Sequence, residues 1–226
     1  MAGSTILHKS PIIPCVTCRN RDRKPGSPSN SRLHFAVPSN PIRSAVQSHD
    51  PVHIPPQGCH QAAVAMLLGE LDRCPQMFFI QRALHEGDPW SGQIAFPGGS
   101  RDTADPDTLH TARRETLEEV GISLDGYRLL GQLDDQKSHI RINSKPLVIN
   151  CFVFEVPELP SAVNGDEVND SFWTRIDHLA DPANRMDHRI DRSDLHYPAI
   201  RLEGGQVLWG LTYRFVQMLI GRVVPH

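Results

Sequence analysis

Residues 91–122 read Ser91-Gly-Gln-Ile-Ala-Phe-Pro-Gly-Gly-Ser100-Arg-Asp-Thr-Ala-Asp-Pro-Asp-Thr-Leu-His110-Thr-Ala-Arg-Arg-Glu-Thr-Leu-Glu-Glu-Val120-Gly-Ile122. Two signals lie in this stretch. Gly98 and Gly99 lack a Cβ, so the chain there can come very close to another group or turn tightly. After them, Asp105-Pro106 has the form of a helix start, with Asp as N-cap and Pro at the first helical position, and Gly121 is a helix stop. At about 100° per residue, Leu109, Ala112, Thr116, Leu117 and Val120 gather on one side of that helix and Glu115, Glu118 and Glu119 on another. The three glutamates have i, i+3, i+4 spacing, so their like charges repel unless a positive group sits among them. Carboxylate oxygens suit a hard divalent cation that shares its coordination with phosphates, although three glutamates are also what an ordinary solvated helix face carries.

Working outward, Ala62–Leu68 and Met77–Gln81 are apolar runs that read as two strands, joined by a turn-bearing connector over Gly69–Pro75. His85–Gly92 is a loop by its Gly and Pro content. Beyond the helix, Tyr127–Leu133 and Leu147–Val156 read as strands, the second rich in Val, Ile and Phe as a buried strand should be. Phe172-Trp173 reads as core. Leu208–Ile220 places Leu208, Leu211, Phe215, Met218 and Leu219 at helical spacing, which predicts a closing amphipathic helix. Strands interleaved with helices make residues 58–226 an α/β domain.

The 226 residues carry 23 Lys plus Arg and 26 Asp plus Glu. Seven basic residues against two acidic ones fall in 1–50, leaving sixteen against twenty-four in the rest, so a basic head is joined to an acidic body. Residues 1–57 are rich in Ser, Pro, Asn and Arg without a 2.0 or 3.6 period, which predicts a largely disordered segment. That composition overlaps with organellar transit peptides and equally suits an unstructured tail; a cytoplasmic location is the expectation, with organellar targeting as the alternative. An acidic body without aromatic-basic interleaving points away from nucleic acid, and no apolar run reaches membrane-spanning length. The five cysteines, odd in number, read as reduced thiols, and Cys15-Val-Thr-Cys18 lacks the second half of a zinc site. His49 and His53 have HxxxH spacing, but the intervening Pro51 argues against the helix that would align them. Nothing in the sequence sets an oligomeric state.

Arg114-Glu-Thr-Leu-Glu-Glu-Val-Gly-Ile122, with Phe96-Pro-Gly-Gly99 upstream, resembles the Nudix box, whose pattern is G-x5-E-x7-R-E-U-x-E-E-x-G-U, U being a bulky apolar residue. Thr116 departs from its second half. In its first half Gly99 precedes Arg114 by one residue more than the box asks, and Pro106 stands in the register of the lone glutamate. The branch similar to coenzyme A pyrophosphatases carries this longer spacer, with acids where Asp102 and Asp105 fall. Its Ser-Gly-Gln-Ile-Ala-Phe-Pro-Gly-Gly lead-in and terminal Trp-Gly-Leu-Thr resemble residues 91–99 and 209–212. The likeness spans roughly 60–220.

This resemblance implies a Nudix fold, a mixed β-sheet sandwiched between α-helices, and an enzyme cleaving a phosphoanhydride with Mg²⁺ or Mn²⁺. Glu115, Glu118 and Glu119 become metal ligands or the water-activating base, with Gly99 and, from beyond the box, Glu167 as further metal ligands. Arg114 would orient a glutamate by a bidentate pair. Arg82 and Gly98 are the substrate-binding candidates. The expected substrate is a small nucleotide, coenzyme A or acyl-coenzyme A first; nucleotide sugars, ADP-ribose or nucleoside triphosphates are the alternative, and a non-catalytic nucleotide-binding module a third. That branch also carries a second Arg before the lead-in glycine, where this chain has Asp88, a loss that matters for a ligand with an extra phosphate.

Overall fold

In a computed structural model of the protein, the structure describes residues 39–85, 90–156, 158–190 and 195–223. Asp88 and the Cys15/Cys18 pair lie outside them. The chain runs α1 (Ser39–Gln47), β1 (His60–Leu71), β2 (Cys74–Arg82), β3 (Ile94–Ala95), β4 (Gly98–Ser100), α2 (Thr108–Val120), β5 (Arg128–Gln132), β6 (Gln136–Ile142), β7 (Lys145–Glu155), β8 (Val168–Arg175), α3 (Ile176–Ala180), β9 (Arg185–Arg189), β10 (His196–Arg201), β11 (Val207–Trp209) and α4 (Gly210–Val223).

Eight strands form one sheet in the order β3-β2-β1-β7-β5, with β4 paired to β1, β6 to β7 and β8 to β2. The central pair β1/β7 is parallel and its neighbours are antiparallel, so the sheet is mixed. Alternation along β1 divides the interior into two. Ala62, Met66 and Leu68 belong to one core with α1, α3 and α4, while Ala63, Ala65 and Leu67 belong to a second with Ala112 and Val120 of α2. Helices therefore cover both faces. A smaller sheet, β9-β10-β11, flanks the first core.

Several sequence expectations need correction. Residues 39–47, inside the segment expected to lack structure, form α1: Ile42 and Val46 are buried, Val46 packs over Gly131, and Arg43 pairs with Glu155. The following chain is tied down by histidines rather than left loose, because His49 lies 2.8 Å from Asp134 and His53 lies 3.4 Å from Asp135. The β1–β2 turn is only Asp72-Arg73, both at positive φ, and Gly69 is a strand residue whose missing Cβ makes room for Leu159, at 2.3 Å from where it would stand.

The N-cap of α2 is Asp107, which accepts the His110 N–H, whereas Asp105 is drawn inward. Gly121 does end the helix, at φ 67°. Leu117 is 52 % exposed and Glu119 only 4 %, the reverse of the amphipathic assignment. Phe172 and Trp173 are partly buried and pack on the two cores. Leu208 lies in β11, just before the closing helix. Cys59 and Cys151 are free thiols as expected, but Cys74 is disulfide-bonded.

Truncating α1 where it touches the core tests whether it is part of the fold. Ile42→Ala is expected to lower unfolding stability by about 2–4 kcal/mol, as other buried Ile-to-Ala changes do, read by urea denaturation. An unchanged midpoint would mean that α1 does not pack in solution.

Candidate functional site

The site is built where β4 passes between β1 and α2. Gly98, Gly99 and Ser100 pair antiparallel with Val64, Ala63 and Ala62. At Gly98, φ 153°, a Cβ would stand 2.2 Å from the Ala63 carbonyl oxygen and 2.6 Å from Val64 Cα, so backbone alone fits. At Gly99 a Cβ would stand 2.6 Å from the Glu115 carboxyl carbon. The close approach anticipated for the glycine pair is thus made to β1 on one side and to the α2 carboxylates on the other.

The Gly98 N–H donates to Glu119 Oε2 at 2.8 Å, and Arg82 Nη1 stands 4.0 Å from Glu119 Oε1. Burial pushes the Glu119 carboxyl up to about 7, the Gly98 N–H and Arg82 opposing and Glu115 and Glu167 reinforcing the shift. Burial also raises Glu115, against the pull of Arg114, with Glu118 and Glu167 adding to the rise. Glu167 sits beside the end of β2, its carbonyl accepting the Ala83 N–H at 2.8 Å. Four carboxylates of the sequence expectation are therefore close enough to act on one another electrostatically.

Arg114 differs from expectation in its main partner. Its Nε and Nη2 donate to the two oxygens of Asp105 at 3.1 and 2.9 Å, a bidentate pair with an aspartate rather than a glutamate. Nη1 then reaches Glu115 Oε1 and Glu118 Oε2, each at 2.9 Å. Asp105 also accepts from the Asp102 N–H and Thr111 Oγ1, and the Arg114 guanidinium holds it well below the ordinary carboxylate range. Asp105, read from sequence as a cap, is the anchor that fixes Arg114.

A divalent cation fits the donor chemistry here: hard carboxylate oxygens, with Glu115 and Glu119 raised chiefly by burial and further by neighbouring carboxylates. Among the described residues the side chains do not themselves close into a three-carboxylate cage. Arg114 Nη1 draws Glu115 and Glu118 to itself, so enclosing an ion requires those two carboxylates to turn from it.

A cleft of about 1260 Å³ opens from this point. Glu115, Glu167, Arg82, Gly98 and Gly99 line it, whereas Glu118, Glu119 and Arg114 are not among its lining residues. Val64, Phe96, Leu147, Ile149 and Phe215 supply apolar wall, and Trp90, Tyr197, Trp209 and Tyr213 supply aromatic surface. The lead-in residues 93–96 and the terminal motif 209–212 meet here, although more than a hundred residues separate them. Lys137 and Arg141 of β6 and Arg214 of α4 also line the cleft. Sequence reasoning passed over them; the alternation Lys137, His139, Arg141 in a short strand was the available signal.

A family model described as NUDIX domain matches residues 59–193. The chain belongs to the Nudix hydrolase family. Its members hydrolyse pyrophosphate bonds of nucleotide derivatives and generally require divalent cations. This Nudix chain is 28 % identical over 170 residues to the human mitochondrial coenzyme A diphosphatase NUDT8, covering 73 % of this chain and 70 % of that one. It is 37 % identical over 123 residues to an uncharacterized protein of Schizosaccharomyces pombe, covering 53 % of this chain but only 37 % of that protein's length. The solved structure of a MutT/nudix family protein from Enterococcus faecalis shares the fold, with a TM-score of 0.50, 19 % identity, and coverage of 76 % of this chain and 64 % of that one. No helix among the described residues is long and apolar enough to cross a membrane.

Two outcomes follow from the geometry. Gly99→Ala pushes a methyl into the Glu115 carboxylate and is expected to cut turnover by about tenfold or more through misplacement, with little change in melting temperature because the obstructed atoms end a flexible side chain. In metal-free protein the raised Glu119 pKa means that the folded state binds a proton more tightly than the unfolded state. Stability from this group is full below the ordinary glutamate range and is lost as pH rises through about 7. Glu119→Gln should therefore raise the melting temperature of metal-free protein at pH 8 relative to wild type, an advantage that shrinks toward pH 5. A lower melting temperature at pH 8 would contradict the burial argument.

Proposed function

We propose that this chain is a divalent-metal-dependent pyrophosphohydrolase acting on coenzyme A or acyl-coenzyme A. The observation that carries the hydrolytic reading is the grouping of Glu115, Glu119 and Glu167 around the β4 glycines at one end of a cleft large enough for a nucleotide. The substrate reading is supported by the similarity to NUDT8, named a coenzyme A diphosphatase, and by the two motif segments, 93–96 and 209–212, that share the cleft.

In this reading Glu115, Glu118 and Glu119, with Gly99 and Glu167, hold Mg²⁺ or Mn²⁺. When bound, such an ion neutralises phosphate oxygens and acidifies a water. The remaining work belongs to the chain. Glu115, the box glutamate that faces the cleft, takes the proton of the attacking water. Arg114, locked by Asp105, holds Glu115 and Glu118 until an ion draws them away, and does not touch substrate. Arg82 binds the phosphate group on the cleft side of Glu119, and Gly98, whose N–H is taken by Glu119, bounds that position without donating to the phosphate. Water adds to one phosphorus, the bridging P–O bond breaks, and the other phosphate leaves with the bridging oxygen. A non-catalytic module is disfavoured because all three box glutamates are present.

For location the cytoplasmic expectation stays a proposal, and its alternative, organellar delivery by the N-terminal segment ahead of α1, is supported by the mitochondrial designation of NUDT8.

A panel of coenzyme A, ADP-ribose, nucleotide sugars and nucleoside triphosphates with Mg²⁺ or Mn²⁺ tests the proposal. Coenzyme A is expected to be cleaved at its pyrophosphate, and Glu119→Gln, which keeps shape but removes charge, to lose about a hundredfold or more in kcat. Mutant-sensitive cleavage of another substrate would keep the mechanism and discard coenzyme A. No mutant-sensitive turnover would favour a binding module.

A further inference from the structure

Three cations in the cleft have no part in the hydrolytic machinery. Lys137 and Arg141 are exposed on β6, and Arg214 is exposed on the first turns of α4. Arg214 Nη1 donates to the Lys137 carbonyl at 3.5 Å, so the helix and the strand bring these residues into one neighbourhood. Arg141 donates through Nε and Nη2 to the Ser144 carbonyl of the β6–β7 turn, which fixes its direction while leaving its charge uncompensated. Among the described residues none of the three pairs with a carboxylate, in contrast to Arg43, Arg113, Arg114, Arg175 and Arg222. Unneutralised positive charge in a concave site of an acidic body is placed to meet an anion.

The register places this group well away from the glutamate end. Ser100 of β4 pairs with Ala62 of β1, Ala62 with Ile149 of β7, and Ile149 with Gln136 of β6. Three strand spacings thus separate β4 from β6, about 14 Å between backbones at ~4.8 Å each. A diphosphate held beside Gly98 and Arg82 is too short to reach both ends. A nucleoside between two phosphate groups can bridge them once the long Lys137 and Arg214 side chains reach inward, and the apolar and aromatic walls between them suit such a body.

We propose that Lys137, Arg141 and Arg214 form a second anion subsite, which takes a phosphomonoester carried on the nucleoside part of the substrate, beyond the scissile pyrophosphate. It deepens the coenzyme A reading, and rests on it for the identity of the nucleoside. It supplies from β6 and α4 the positive charge that Asp88 lacks in the lead-in loop.

Binding of two probes without chemistry tests this: adenosine 3′,5′-bisphosphate and AMP, titrated calorimetrically at low ionic strength, where such contacts are least screened. Wild type should bind the bisphosphate about tenfold or more tightly than AMP, the scale of one charge-assisted contact. Lys137→Ala and Arg214→Ala should each reduce that ratio. Lys145→Ala, on the same hairpin but not a lining residue of the cleft, should leave the ratio intact. Equal binding of the two probes by wild type, or a ratio unchanged in both cleft variants, would overturn the subsite. Coenzyme A cleavage without this preference would retain the proposed activity and discard the subsite; the preference without coenzyme A cleavage would do the opposite.

Discussion

A buried carboxylate held by a backbone amide organises this protein. Glu119 is nearly inaccessible, and the group that receives it is the Gly98 N–H at 2.8 Å. Taking an ionisable group out of water is costly unless it is paired or hydrogen-bonded. The β4 segment must therefore lie close against both β1 and α2: at 98 only glycine lets it do so, since a Cβ there would meet β1 backbone, and at 99 a Cβ would displace the Glu115 carboxylate. The sheet, the helix and the anionic end of the cleft share this one junction.

Around it, charge is arranged in layers of increasing exposure. Asp105 is buried and satisfied by Thr111, the Asp102 N–H and Arg114. Arg114 in turn offers Nη1 to Glu115 and Glu118, so the guanidinium balances the carboxylates that a cation would otherwise have to balance. This arrangement exchanges intrinsic stability for a charged, desolvated centre, a pattern common to functional sites. The mixed sheet contributes by geometry: a central parallel pair flanked by antiparallel strands places β4 and β6 in one row on opposite sides of the β1/β7 pair. One wall of the cleft then carries acid and the other base.

The box helix shows how legible the chemistry was and where legibility stopped. The run Arg114–Ile122 with Phe96–Gly99 carried the family, and the Val-, Ile- and Phe-rich runs carried β1, β2 and β7, because these features depend on spacing within a few turns of chain. The same helix misled at Leu117 and Glu119. A helical wheel assigns apolar residues inward, but here β4 and Arg82 offer partners for an inward carboxylate. Helix α1 escaped detection because nine residues with two buried apolar side chains make too faint a period beside a Ser- and Pro-rich head.

The sequence by itself determined the α/β class, the glycine pair, the anionic helix with its stop at Gly121, and membership of the Nudix family, since all of these reside in residue type and short-range periodicity. Only the tertiary structure decided that Asp105 anchors Arg114, that Glu119 is buried while Glu118 is exposed, that Glu167 joins the box glutamates, and that the cations of β6 and α4 share a cleft with Glu115 and Glu167. Those relations join residues up to about a hundred positions apart in the chain. They are set by strand register and by the cost of burying charge, and neither is written in local sequence.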